Sequence, residues 1–264
     1  MTTAELLART DPAGGPHFER WGLRRALFTA DFCRRHLPAG SRALDVSSGP
    51  HVALAVAHAT PGVRWSHTDH DAGGCAFTDR ATGEVVFRYA PFAYPIGPDS
   101  PPPPGGPWDA VTLWEVVEHL DFNPALHFAA LNRALRPGGL FRLSTPNVGG
   151  LTPQYHAARG GRPFQTPFFP RAHWLHTREY GTHELRGLLA WAGFEPLACE
   201  TADLYTGDLR GWRKFVRKGC LALAGLLTLD PAAVRHALRH SGGTQFWAAR
   251  KASDPGPPEK MPPV

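Results

Sequence analysis

Apolar positions along this chain switch repeatedly between a strand period and a helix period. Arg42 to Val46, Val63 to Thr68, Glu84 to Tyr89, Asp109 to Trp114, Leu140 to Ser144, Phe194 to Cys199 and Thr244 to Ala249 are short apolar or alternating runs bounded by turn residues, and each predicts a strand. Between them lie helical stripes. Trp21, Phe28 and Phe32 line one face of Phe18 to Leu37, which Pro38-Ala39-Gly40 ends. Val52, Leu54, Val56 and Ala57 follow the turn Ser47-Ser48-Gly49-Pro50-His51. Phe128, Leu131 and Leu135 lie between a cap at Asn123-Pro124 and a stop at Pro137-Gly138-Gly139. Leu185, Leu188, Leu189 and Ala192 lie between a Thr182 cap and Gly193. A strand, a helix and a strand in succession make a crossover unit with parallel strands, so the pattern predicts an α/β sheet.

The breaks in this pattern set the organisation. Four consecutive prolines within Pro98 to Pro107 exclude helix and central strand and predict an exposed connection. Residues 148–181, rich in Gly, Pro, His, Arg and aromatics, are too long for an ordinary connection and predict a substrate-facing loop at the carboxyl ends of the strands. Residues 201–243 form an insertion. In it Trp212, Arg213, Lys214, Phe215, Arg217 and Lys218 precede the apolar run CLALAGLLTL. Such a pattern can lie on a membrane surface, but the breaks at Gly219, Gly225 and Pro231 favour a helical lid or a homodimer contact. Residues 1–250 read as one domain with a covering helix at 18–40, and the Pro-rich 251–264 as a disordered tail.

Composition narrows the function classes. With 42% hydrophobic residues among 264, the chain can bury a full core. Its 28 basic and 23 acidic residues give +5, with the bases scattered, so no nucleic-acid groove is expected. The four cysteines form no CxxC pair, which speaks against a zinc ribbon or a disulfide framework. No apolar run reaches bilayer length and the amino terminus lacks a signal-peptide pattern. The expectation is a cytoplasmic protein without stable membrane insertion.

The residues that carry chemistry cluster at strand ends. The turn after Val46 brings backbone amides at a helix amino terminus close to any ligand above it. Asp69 lies roughly 20 residues beyond, where a carboxylate can accept both hydroxyls of a ribose, with Asp71 as the fallback. Glu115, Glu118 and His119 follow the fourth strand.

The stretch from Trp108 to Asn147 resembles the second half of a class I S-adenosylmethionine-dependent methyltransferase. Asp109, Glu115, Glu118, His119, Leu120, Pro137, Gly138, Gly139, Thr145, Pro146 and Asn147 match the family's "EVxEHL", "LxPGG" and "TPN" segments, and HxREYxxxELxxLLxxAGF from His176 onward is a second match. The resemblance implies a Rossmann-like seven-stranded sheet with helices on both faces, its last strand antiparallel and preceded by the insertion. It also implies S-adenosyl-L-methionine as cofactor, held by Asp45, Ser47, Gly49, Asp69, Phe92 and Glu115. The loop departs from the family at Ser47, Pro50 and His51, and Ala90 stands where an acid commonly holds adenine.

Methyl transfer is an in-line displacement, and an oxygen or nitrogen acceptor gains from a base titrating near neutrality. His119 is so placed, with His173 and His176 as further candidates and Tyr155, His156 and Arg162 as substrate contacts from the long loop. The function expected is transfer to a small natural product or sugar-like acceptor. A second resemblance, to 2′-O-methyltransferases of small RNA, implies a divalent metal on Glu115, Glu118, His119 and a later His. Gly149-Gly150 replaces that family's acidic and aromatic pair, so no metal is expected and Glu118 is expected to point away. A third alternative is a non-catalytic member whose altered loop no longer binds the cofactor.

Overall fold

The computed structural model describes residues 5, 8–9, 15–69, 76–91, 101–150, 176–204, 219 and 242–262. In chain order these form α1 (Gly15–His36), β1 (Arg42–Val46), α2 (Pro50–Ala59), β2 (Arg64–Asp69), β3 (Ala76–Thr78), β4 (Val85–Pro91), β5 (Trp108–Trp114), α3 (Pro124–Ala134), β6 (Leu135–Pro146), α4 (Thr182–Trp191), β7 (Phe194–Ala202) and β8 (Thr244–Lys251). One sheet runs β3-β4-β2-β1-β5-β6-β8-β7. Strands β4, β2, β1, β5 and β6 are parallel, and β8 lies antiparallel between β6 and β7. The sheet therefore has eight strands among the described residues where seven were expected. The extra one is β3, three residues too short to announce itself by alternation, folded back on β4 around Phe77 and Phe87.

Alternation along the central strands separates two cores. Leu44, Val111, Phe141 and Trp247 point to the face covered by α3 and α4, where Phe128, Leu131, Leu185 and Leu188 meet them fully buried. Ala43, Ala110, Phe246 and Ala248 point to the other face, which α1 and α2 cover through Leu23, Phe32, Leu54 and Val56. Small residues on this second face let α1 approach closely, and Phe32 packs edge-on to Trp114 at 6.4 Å. Arg142 is buried in the same layer, donating to the carbonyls of Ala249 at 2.8 Å and His36 at 2.5 Å, so it ties the end of α1 to the sheet.

Three boundaries differ from expectation, each for a local reason. Helix α3 stops at Ala134, because Leu135 turns extended to pair with Trp108 and the Pro137-Gly138-Gly139 segment becomes an irregularity at the start of β6. Gly181, not Thr182, caps α4. It has no side chain to offer, and Glu184 reaches back to its amide at 3.3 Å. The tail is not disordered through residue 262. Trp191 accepts from Gly256 N at 2.6 Å and donates to Pro257 O at 3.1 Å, Asn123 donates to Pro262 O at 2.9 Å, and Met261 packs on the core. A Pro-rich segment with no core of its own is held by polar atoms at the rim of another. Most of the predicted long loop (151–175) and of the insertion (205–218 and 220–241) lies outside the described residues.

Asn123 both caps α3, through Ala125 N at 2.9 Å, and anchors the tail. Asn123→Ala is expected to cost about 1 kcal/mol, read as a lower denaturant midpoint. His127, fully buried in α3, has its pKa lowered to about 3 by desolvation. The unfolded chain takes up that proton near 6.5, so this contribution to stability is complete above pH 6.5 and is lost as pH falls towards about 3. A stability profile of His127→Phe is expected to be flatter than wild type in that window.

Candidate active site

The carboxyl end of β1 is built on one buried carboxylate. Asp45 Oδ1 accepts from Thr112 Oγ1 of β5 at 2.9 Å, and Oδ2 meets His67 Nδ1 of β2 at 3.1 Å and the Ser48 hydroxyl of the turn. Asp45 was expected among the cofactor contacts. In the structure both its oxygens are engaged beneath the turn, fixing where the chain leaves the sheet. Tyr89 of β4 adds a hydroxyl donated to Ser48 O at 3.1 Å. The next residue, Ser47, takes a left-handed φ of 57°, a conformation that costs a non-glycine residue energy and persists only where its surroundings enforce it. Gly49 then caps α2 in extended conformation with Pro50 at the first position.

A second left-handed residue, Glu115 at φ 55°, stands at the end of β5. Its carboxylate takes Ser144 Oγ of β6 at 2.8 Å and Arg25 Nη1 of α1 at 3.1 Å, so the covering helix is latched to the strand ends. His51 at the start of α2 has its pKa lowered to about 4, first by burial and then by the Arg25 charge, and is therefore neutral near pH 7.

Beyond Glu115 a single 3-10 turn, Val117–His119, sets the third feature. Glu118 was expected to point away. It is instead completely buried, with Oε2 accepting from Thr145 Oγ1 at 2.9 Å and Oε1, without a hydrogen-bond partner among the described residues, 3.9 Å from His119 Nε2. Burial, reinforced by the Glu115 charge, pushes the Glu118 carboxyl well up from its ordinary value. The Glu118 carbonyl accepts from Thr177 N at 2.7 Å and Arg178 N at 3.2 Å, pinning 176–178 to the turn. His176 is thereby brought beside His119, ring centroids 5.0 Å apart, and its Nδ1 is fixed by Glu179 at 2.7 Å. One ligand atom each from Glu118, His119 and His176 lie within 4.8 Å of one another.

The structure thus gathers Asp45, Ser47, Gly49, Glu115, His119 and His176 at one end of the sheet. Asp69 ends β2 in register with Pro91, and its side chain lies outside the described residues. Phe92, Tyr155, His156, Arg162 and His173 also lie outside them. Sequence reasoning named Thr145 only as part of a motif and assigned no role to Ser48, His67, Thr112 or Arg25. The first three of these are ordinary strand and turn residues whose role exists only through pairing. Arg25 sat among several arginines of one helix with nothing to single it out.

The turn after β1 leaves room for a ligand. Ser47 Oγ is buried without a partner among the described residues, and a Cβ placed on Gly49 would meet only His51 Nδ1, at 3.9 Å, so there is room above the loop. A parallel central sheet closed by an antiparallel strand, with a histidine-bearing turn after β5, is the architecture of a class I methyltransferase. Residues 21–198 match the methyltransferase-domain family, and the chain belongs to it. A curated relative from Mycolicibacterium smegmatis, named a probable S-adenosylmethionine-dependent methyltransferase, is 40% identical over 94 residues. That alignment spans 36% of this chain and 31% of the relative. Among solved structures, the complex of the Haloferax volcanii Trm112 activator with a methyltransferase has TM-score 0.52 at 15% identity, covering 91% of this chain and 93% of that one. A SAM-dependent methyltransferase from Archaeoglobus fulgidus has TM-score 0.50 at 16% identity, covering 89% and 97%. Both share the fold.

Asp45→Ala would leave three buried or half-buried donors around one void. It is expected to destabilise the protein by about 3 kcal/mol, measured by chemical denaturation, with Asp45→Asn intermediate.

Proposed function

We propose that this protein transfers a methyl group from S-adenosylmethionine to an oxygen or nitrogen of a small-molecule acceptor. The observation that carries the reading is the juxtaposition of an open, strained turn after β1 with His119 and His176 at the end of β5. When bound, S-adenosylmethionine supplies an electrophilic methyl on a sulfonium. The chain's own contribution is alignment: Ser47 and Gly49 line the turn, Asp69 takes the ribose hydroxyls, and α1 excludes water from above. As the acceptor's bond to the methyl carbon forms and the carbon–sulfur bond breaks, the acceptor's proton passes to the His119 imidazole. His176, held by Glu179, supports that ring from its edge. Tyr155, His156 and Arg162 are the acceptor contacts of this reading, and His173 is a further candidate base.

A second reading has a specific observation in its favour. Glu118, His119 and His176 offer one carboxylate oxygen and two imidazole nitrogens to a common point, a donor set that suits a divalent ion. Such an ion would bind and acidify an acceptor hydroxyl, and that chemistry would bring a ribose 2′-hydroxyl of RNA forward as substrate. The sequence at Gly149-Gly150 weighs against the RNA form.

Calorimetric titration is expected to show binding of S-adenosylmethionine, weakened by roughly 1.5–3 kcal/mol in Asp69→Ala. No binding by the wild type would contradict the reading. Methylation of hydroxylated and amino acceptors is expected to survive exhaustive chelation. Loss with EDTA and recovery with Mn²⁺ would establish the second reading instead.

A further inference from the structure

The Pro-rich tail runs the length of α3 and reaches the segment that carries His119. It leaves the sheet at Lys251, level with Phe194 at the start of β7 and opposite the site. There Lys251 Nζ donates to Asn132 O at 3.0 Å and Leu135 O at 3.3 Å, and Asn132 Nδ2 donates to Ser253 O at 3.0 Å, all at the carboxyl end of α3. Gly256 N and Pro257 O then meet Trp191 at the end of α4, and the 3-10 turn Pro258–Lys260 follows. Finally Pro262 O accepts from Asn123 Nδ2 at 2.9 Å, at the amino end of α3. Asn132 back to Asn123 is roughly 13 Å of helix at 1.5 Å per residue, so the tail crosses from the far rim of the sheet to the rim of the site.

His119 therefore lies between two clamps. On one side Glu118 O accepts from Thr177 N and Arg178 N, and His119 O accepts from Thr177 Oγ1 at 3.4 Å. On the other, Leu120 is buried in the core that holds Val116 and Val117, and Met261 of the tail packs on that same core. Asn123 closes this second clamp: its Oδ1 accepts from Ala125 N at 2.9 Å while its amide nitrogen holds Pro262. A Pro-rich segment suits such a use. Its prolines have little backbone freedom to lose on docking, and a bond made through the carbonyls of Ser253, Pro257 and Pro262 needs no amide from a proline.

We propose that residues 252–262 are a strap that positions His119, with Asn123 as the positioning residue through which the strap acts. The proposal rests on the reading above in which His119 takes the acceptor's proton. A base works only within hydrogen-bond reach of the proton it removes, so the backbone from which the imidazole projects must be held on both sides. The strap holds the side that Thr177 and Arg178 do not.

Asn123→Asp separates the two bonds of the amide. Aspartate caps a helix as well as asparagine does, but it has no N–H to give Pro262 O. With the cap kept, its denaturant midpoint is expected to stay above that of Asn123→Ala. In the full chain labelled at histidine Cε1, NMR at one fixed pH reads the His119 ring, assigned with His119→Asn. Its edge-to-face packing on His176, centroids 5.0 Å apart, makes its chemical shift a report of their relative placement. Expected for Asn123→Asp are faster amide exchange at 259–262 and at 117–122 and a displaced, broadened His119 resonance, with that of His58 on α2 unmoved. Asn123→Ser, which also keeps a cap, is expected to behave alike, and both variants are expected to bind S-adenosylhomocysteine as the wild type does. A tail that exchanges faster while 117–122 and the His119 resonance stay as in wild type, or a tail that stays protected in both variants, would overturn the strap. Weakened S-adenosylhomocysteine binding in both variants would overturn it too, as general loosening. Failure of the wild-type protein to bind that ligand would instead remove the methyl-donor reading, because the exchange and the His119 resonance are read without it.

Discussion

A buried carboxylate whose partners come from two neighbouring strands and the turn above it is the constraint on which the site depends. A carboxyl group buried in the sheet requires hydrogen-bond partners, and those of Asp45 come from β2, β5 and the turn. The same three contacts fix the ends of β1, β2 and β5 and the turn relative to one another. The turn is left with no freedom to relax, which is why Ser47 can hold a left-handed backbone without being glycine. Stability and site geometry are thus set by one set of bonds.

Two more acidic groups extend the arrangement outward. Glu115 joins β5, β6 and α1, and Glu118 joins the 3-10 turn to β6 through Thr145 and to the segment before α4 through its carbonyl. The covering helix and the His176 segment, distant in sequence, are brought over the same strand ends by these contacts. Their polarity differs with burial: Glu115 meets a guanidinium, whereas Glu118 retains a buried oxygen directed at two imidazoles. That difference is what gives the pocket a charged side near the turn after β1 and a proton- or metal-handling side near His119.

Much of this was legible before any coordinates. Strand positions followed from alternation, and the Trp108 to Asn147 run placed Glu115, Glu118 and His119 at the end of one strand. Residues 176–199 placed His176 ahead of its helix. What could not be read is what pairing across the sheet creates. His67 and Thr112 are apolar-run residues until β1 lies between them. Glu118 was expected to turn away because three polar groups together repel, yet it is buried on Thr145, and burial raises its carboxyl above the ordinary value. The tail read as disordered because composition alone says nothing of the rim atoms of Asn123 and Trp191 that hold it.

The central claim is that the turn after β1, the end of β5 and the covering helix form one pocket for an S-adenosyl compound. Hydrogen–deuterium exchange with and without S-adenosylhomocysteine tests it directly. The account predicts slower exchange together at residues 45–51, at 113–116 and in the stretch of α1 around Arg25, with the β7 edge and the tail unchanged. Protection confined to other segments, or none at saturating ligand, would contradict it.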